Sequence, residues 1–196
     1  MLTEFKTNIT IQKIISEAKK VEIEKDNYTL SYPTFINYFK DLNIINQQNF
    51  LIGINFTYGW MPTVFKLKSC EFSQILEILN LVKNNHKLSI DQLEILKYCL
   101  NNSIIGTSKL LHFINPNLYA IWDSNIYQYL TLKTPHYYRV DDTKLYLDYL
   151  DFCEFICSKS EYGAIHNSIV EKLNYEVTQF RSLELIMFNT QKSTKS

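Results

Sequence analysis

Apolar residues recur at helical spacing along most of this chain. In residues 9–20, Ile11, Ile14, Ile15 and Ala18 fall on one face. Pro33 reads as a first helical position ahead of Phe35, Ile36, Tyr38 and Phe39. The stretch from Phe50 to Trp60 is nearly all apolar and is closed by Pro62, which predicts a buried helix running into a loop. From Phe72 to Val82, the residues Ile75, Leu76, Ile78, Leu79 and Val82 make an inward stripe. Ser89 followed by Gln92 is a capping box for a helix through about Leu100.

The next stretch reads as a turn over Asn101–Gly106 and a helix over Thr107–Ile114, ended by Asn115-Pro116. Asp123 or Ser124 caps a helix over Asn125–Leu132. Thr134–Asp142 reads as a loop. Helices are expected at about 143–158, 162–174 and 175–188, and residues 190–196 as a frayed polar tail. With only four Gly and four Pro, the chain lacks the turns of an all-β protein. The fold class read from this pattern is all-α: a multi-helix globular domain over residues 1–196, or two small helical lobes, containing a helix-hairpin-helix element.

Composition narrows the classes. The formal net charge is zero, which argues against coating nucleic acid by bulk charge but leaves room for a local basic face. No apolar run approaches the ~18 residues of a membrane span, and Met1–Lys20 is interrupted by Glu4, Lys6, Lys13, Glu17, Lys19 and Lys20. Cys70, Cys99, Cys153 and Cys157 have neither disulfide-scaffold density nor metal spacing with His86, His112, His136 or His166. Four free thiols, no metal, no membrane partner and a cytoplasmic, monomeric protein are the expectation. No phosphate-binding loop or dinucleotide fingerprint occurs, so no cofactor is implied.

The most informative segment is Ser89–Leu132: helix, glycine turn, helix, a proline-bounded connection, then Ala120-Ile121-Trp122 leading into Asp123. A helix-hairpin-helix holds a DNA phosphate on backbone N–H groups at a helix start and needs little net charge.

Ile105-Gly106-Thr107-Ser108, with Ile121-Trp122-Asp123-Ser124-Asn125-Ile126 after it, resembles the helix-hairpin-helix DNA glycosylase superfamily. In that family the aspartate caps the next helix and serves catalysis, and bifunctional members carry a lysine nucleophile two residues after the second hairpin glycine. Here Ser108 stands at that place, as in adenine glycosylases acting opposite oxidised guanine. The first hairpin glycine and the four-cysteine cluster loop of some members are absent.

The resemblance implies a DNA base-excision glycosylase acting on duplex DNA with a modified base, in repair or against viral DNA. It makes Asp123 the catalytic carboxylate, and Lys109 catalytic only in a bifunctional enzyme. Gly106, Thr107, Ser108, Lys109 and Arg139 become the DNA contacts. Tyr58, Trp60, His112, Tyr137 and Tyr138 become candidates for the flipped-base pocket, on the general ground that aromatic faces stack on bases. Competing readings stand beside these. Asp123 suits a plain N-cap, Lys109 a surface or phosphate-contacting lysine, and His112, inside an apolar run, a satisfied core histidine. Tyr58 and Trp60 equally suit an aromatic anchor, and His136–Arg139 an ordinary surface loop. The alternative function is a non-catalytic helical DNA-binding or protein-interaction module that retains the hairpin.

Overall fold

The computed structural model describes residues 1–61, 63–66, 68 and 71–194. Among them are twelve α-helices and no strand. They are α1 Leu2–Asn8, α2 Ile11–Lys20, α3 Asn27–Lys40, α4 Gln47–Trp60, α5 Phe72–Lys83, α6 Ile90–Cys99, α7 Ile104–Ile114, α8 Ser124–Thr131, α9 Tyr137–Val140, α10 Thr143–Cys157, α11 Tyr162–Leu173 and α12 Gln179–Ser193. No helix among the described residues is long and apolar enough to cross a membrane.

The chain divides into two compact units, one of Lys25–Tyr119 and the other of Met1–Glu24 together with Ala120–Ser196. The segment singled out in the sequence therefore spans a boundary. Helices α6 and α7 belong to the continuous unit, and Asp123 belongs to the other.

In the continuous unit, α7 packs against α3, α4, α5 and α6 and is buried along its length except at Ile105 and Lys109. Glycine permits its closest approach. A Cβ on Gly106 would lie 2.8 Å from Cζ of Tyr58, so α4 and α7 meet through a missing methyl group. Gly53 of α4 does the same for Phe39 of α3, whose Cε1 would lie 3.1 Å from a Cβ there.

In the discontinuous unit, α12 packs on α8, α10, α11 and α2. Its residues Phe180–Met187 are all buried, among them Arg181 and Glu184, which form an ion pair one turn apart. Two charges taken out of water are tolerated because each is the other's partner.

Most helix boundaries follow the sequence pattern, and the exceptions have local causes. Pro33 lies inside α3. The helix starts six residues earlier because Asp26 caps it, accepting the Thr29 N–H at 2.9 Å. The Asn101–Gly106 turn is shorter than read: Ser103 accepts the Gly106 N–H and starts α7 at Ile104, so Gly106 is helical. The turn's left-handed positions are Asn101 and Asn102, with φ of 60° and 52°. Asparagine tolerates this conformation better than most residues. The loop 134–142 contains α9, and the tail expected to fray continues α12 to Ser193.

The expectation of four free thiols is also corrected. Cys153 and Cys157 are free, but Cys99 is disulfide-bonded, and Cys70 lies outside the described residues, as does Pro62.

Candidate functional site

Asp123 is positioned from both sides in sequence. Before it, Ala120–Trp122 is outside any helix and buried, so its backbone polar groups need partners. Helix α10 supplies them. Tyr146 donates its hydroxyl to the Ala120 carbonyl and Tyr149 to the Ile121 carbonyl, both at 3.1 Å. The Trp122 indole N–H donates to the Val140 carbonyl at 2.9 Å, and its ring lies 5.0 Å from that of Tyr149. Burial pushes the Tyr149 hydroxyl well above the ordinary tyrosine range, which keeps it a proton donor.

After Asp123, α8 begins. Oδ1 of Asp123 accepts the Asn125 and Ile126 N–H groups at 2.8 and 2.9 Å. This is an N-cap, and the negative charge also suits the positive end of the helix. Both bonds fall on one oxygen. Among the described residues Oδ2 accepts none, and the residue is half-buried. The carboxylate is thus held in one orientation with one oxygen uncommitted.

The turn between α6 and α7 is tightly braced. Asn101 accepts the Lys66 N–H at 2.7 Å and donates to the Val64 carbonyl at 2.9 Å, while Tyr58 donates to the Leu100 carbonyl at 2.9 Å. Thr107 and Ser108 turn their hydroxyls back onto the helix, donating to the Ser103 and Ile105 carbonyls at 2.9 and 2.8 Å. With Gly106 they are buried. Lys109 is half-buried, with its ammonium 5.6 Å from the centre of the Trp60 ring.

The base-pocket candidates separate. Tyr58 is buried at the α4–α7 contact, where it serves the turn. His112 is fully buried. Its Nδ1 lies 2.7 Å from the Tyr119 carbonyl, which can only accept, so Nδ1 carries the proton and Nε2 accepts the Tyr32 hydroxyl at 2.8 Å. This is a satisfied core histidine. Tyr137 and Tyr138 are exposed on α9, where the Tyr138 ring stacks on His136 and the Arg139 guanidinium lies 5.5 Å from its centre.

Trp60 lines a groove. The groove encloses about 630 Å³ between α3 and α4 and is lined by Asn27, Tyr28, Ser31, Phe35, Phe56 and Trp60, with Leu30 and Gly59. Sequence reasoning passed over Tyr28, Phe35 and Phe56, which look like core aromatics on paper. Among the described residues no three His, Cys, Asp or Glu side chains gather where they could hold a metal ion.

These features define an all-α protein with a braced α6–α7 turn in one unit and an oriented carboxylate in the other. Compared with known proteins, the chain matches no family model, no curated protein and no solved structure.

Proposed function

We propose that this protein is a DNA base-excision glycosylase in which Asp123 is the catalytic carboxylate. The observation that carries the reading is the Asp123 side chain, with Oδ1 fixed by two backbone N–H groups and Oδ2 uncommitted. Hydrolysis of an N-glycosidic bond breaks the bond between C1′ and the base nitrogen, and the bonding electron pair leaves with the base. Positive charge develops on the sugar ring. A carboxylate of fixed orientation stabilises that charge and orients the water whose oxygen adds to C1′, its proton passing to the surroundings. Bracing by Tyr146, Tyr149 and Trp122 reduces the reorganisation this requires.

The substrate is a duplex carrying a modified base, rotated out of the stack so that its glycosidic bond is reachable. Gly106, Thr107 and Ser108 are buried, with the Gly106 and Thr107 N–H groups and the Thr107 and Ser108 hydroxyls engaged within the first turns of α7, so they serve the shape of the α6–α7 turn rather than hold a phosphate directly. Arg139, Tyr137 and Tyr138 are exposed and suit contact with a duplex surface. Ser108, buried and bonded within the helix, stands where bifunctional members of the resembled family carry lysine, which supports a monofunctional enzyme; Lys109 is catalytic only in a bifunctional one.

The same burial of Thr107 and Ser108 favours, as a second reading, a hairpin kept for stability in a non-catalytic module. Single-turnover excision on duplexes carrying oxidised, alkylated or deaminated bases, with borohydride added in parallel, separates the two. Excision by the wild type, loss of at least about 10³-fold in Asp123→Asn and no borohydride-trapped adduct are expected. Asparagine keeps the N-cap, so its melting temperature should change little. Near wild-type excision by Asp123→Asn sinks the catalytic assignment, and no excision on any duplex returns the chain to the second reading.

A further inference from the structure

The exposed helix α9 and the candidate carboxylate, both in the discontinuous unit, share one buried anchor. Helix α9 is a single turn, and among the described residues it has no extensive packing with any other helix. Its residues Tyr137, Tyr138 and Arg139 face water, and its buried residue is Val140. The Val140 carbonyl accepts the indole N–H of Trp122 at 2.9 Å. Trp122 is fully buried and directly precedes Asp123. The chain therefore runs out from Asp123 through α8 and α9 and is tied back at Val140 to the residue before its departure, 18 positions away.

The two ends of this tie are held differently. On the inner side the Trp122 ring lies against Tyr149, and Tyr149 holds the Ile121 carbonyl. Helix α8, which starts from the Asp123 cap, packs on α12 and α1. On the outer side the connection into α9 begins at Leu132, which is in the left-handed region at φ 58° and is 70% exposed. Leucine gains nothing from either condition: the Cβ makes that backbone unfavourable, and the side chain covers no core. Tyr137 and Tyr138 are 66% and 70% exposed. The outer segment thus turns large apolar and cationic side chains to solvent, while its position is transmitted inward through the Trp122–Val140 hydrogen bond.

We propose that Trp122 is a positioning residue that couples α9 to Asp123. A DNA duplex pressed on Tyr137, Tyr138 and Arg139 displaces Val140, and Trp122 passes the displacement to the carboxylate. The inference rests on the excision reading for its partner and adds the regulation of that site: the carboxylate reaches its working place when α9 is loaded. A shift of about 1 Å in an acting group changes a rate on the order of 10²-fold, so a small movement at α9 suffices.

Trp122 can report on its own tie. Trp60→Phe leaves it as the sole indole, and its full burial prevents any base from stacking on it. Two end-labelled duplexes are titrated in, one unmodified and one with an abasic-site analogue, the product of the proposed excision. Anisotropy of the label reads binding, and indole emission reads Trp122. A change in emission with the same midpoint as binding is expected. Replacing Tyr137, Tyr138 and Arg139 together by Ala should weaken binding and, at saturating duplex, remove the emission change. Trp122→Phe keeps a ring against Tyr149 and drops the donor. It should bind either duplex much as the wild type does and, on a duplex that the wild type excises, lose kcat on the order of 10-fold with little change in KM. A tryptophan that only fills the core would leave emission unmoved by duplex. Binding without an emission change, or wild-type kcat in Trp122→Phe, overturns this inference and leaves the excision reading standing. Binding of neither duplex overturns both. If Trp122→Phe does not fold, the emission titration decides alone.

Discussion

The hydroxyl of Tyr149 donates to the carbonyl of Ile121 at 3.1 Å, so helix α10 holds the backbone two residues before Asp123. The bond is buried, and its loss strands a carbonyl without water. Tyr149→Phe keeps the ring against Trp122 and removes only the donor. It should cost about 1–3 kcal/mol, read as a drop of several degrees in melting temperature. If Asp123 is catalytic, kcat should fall further than the melting temperature suggests, because the carboxylate loses its fixed approach. An unchanged melting temperature would mean that the carbonyl finds another donor.

Gly106→Ala should behave opposite to Gly59→Ala. Alanine improves helix propensity at both places, but at 106 the new methyl group meets the Tyr58 ring. Overpacking of this kind costs about 1–3 kcal/mol. Chemical denaturation of the two variants side by side should show Gly106→Ala with a lower midpoint and Gly59→Ala with an equal or higher one. Equal losses would contradict the contrast.

Alkali should unfold the protein before its buried tyrosines ionise one by one. Burial raises Tyr119 to about 12 and pushes Tyr58, Tyr129, Tyr149 and Tyr162 upward as well. In the unfolded chain each returns to about 10.0. The folded state therefore binds more protons between about pH 10 and 12, and stability, complete below pH 10, declines as pH rises through that window. Absorbance at 295 nm and far-ultraviolet circular dichroism should change together there. A tyrosine titration completed near pH 10 with the helices intact would contradict this.

Cys153 and Cys157 should resist a thiol reagent at neutral pH. Burial raises the Cys157 thiol to about 12 and Cys153 well above its ordinary value, and it is the thiolate that reacts. Peptide mapping after treatment with an aromatic disulfide should find both unmodified in the native protein and both modified after unfolding in guanidinium. Rapid native labelling of Cys153 would mean that α10 opens readily.

Where a signal was local, it could be read from the residues alone. The capping box of Ser89 and Gln92 and the cap by Asp123 need only neighbouring residues, and both are in the structure. Pro33 misled because proline is common at helix starts, while the Asp26 cap that moves the start earlier is a single residue among several polar ones. Gly106 suggested a turn because glycine marks turns; its reason is instead a ring from another helix, 48 positions away in the chain. Tyr58 and Trp60, two residues apart on α4, could not be assigned to core and groove without knowing which face α7 covers. The groove itself joins residues of α3 to residues of α4, and nothing in sequence separates its aromatics from those of a core.

The discontinuous unit sets an order of events during synthesis. Residues 25–119 are added to the chain before any of the residues from 120 onward that α1 and α2 must pack against. The continuous unit therefore has all its contacts available while the first 24 residues still wait for theirs. Closing the other unit means bringing that early segment together with late helices across the whole intervening stretch, an entropic cost that grows only slowly with loop length and is lowered further if the stretch is already compact. The early segment carries apolar faces, with Phe5, Ile9 and Ile14 fully buried in the finished protein. Until translation supplies α8, α10, α11 and α12, those faces lack the helices that cover them in the finished protein, so this unit closes last.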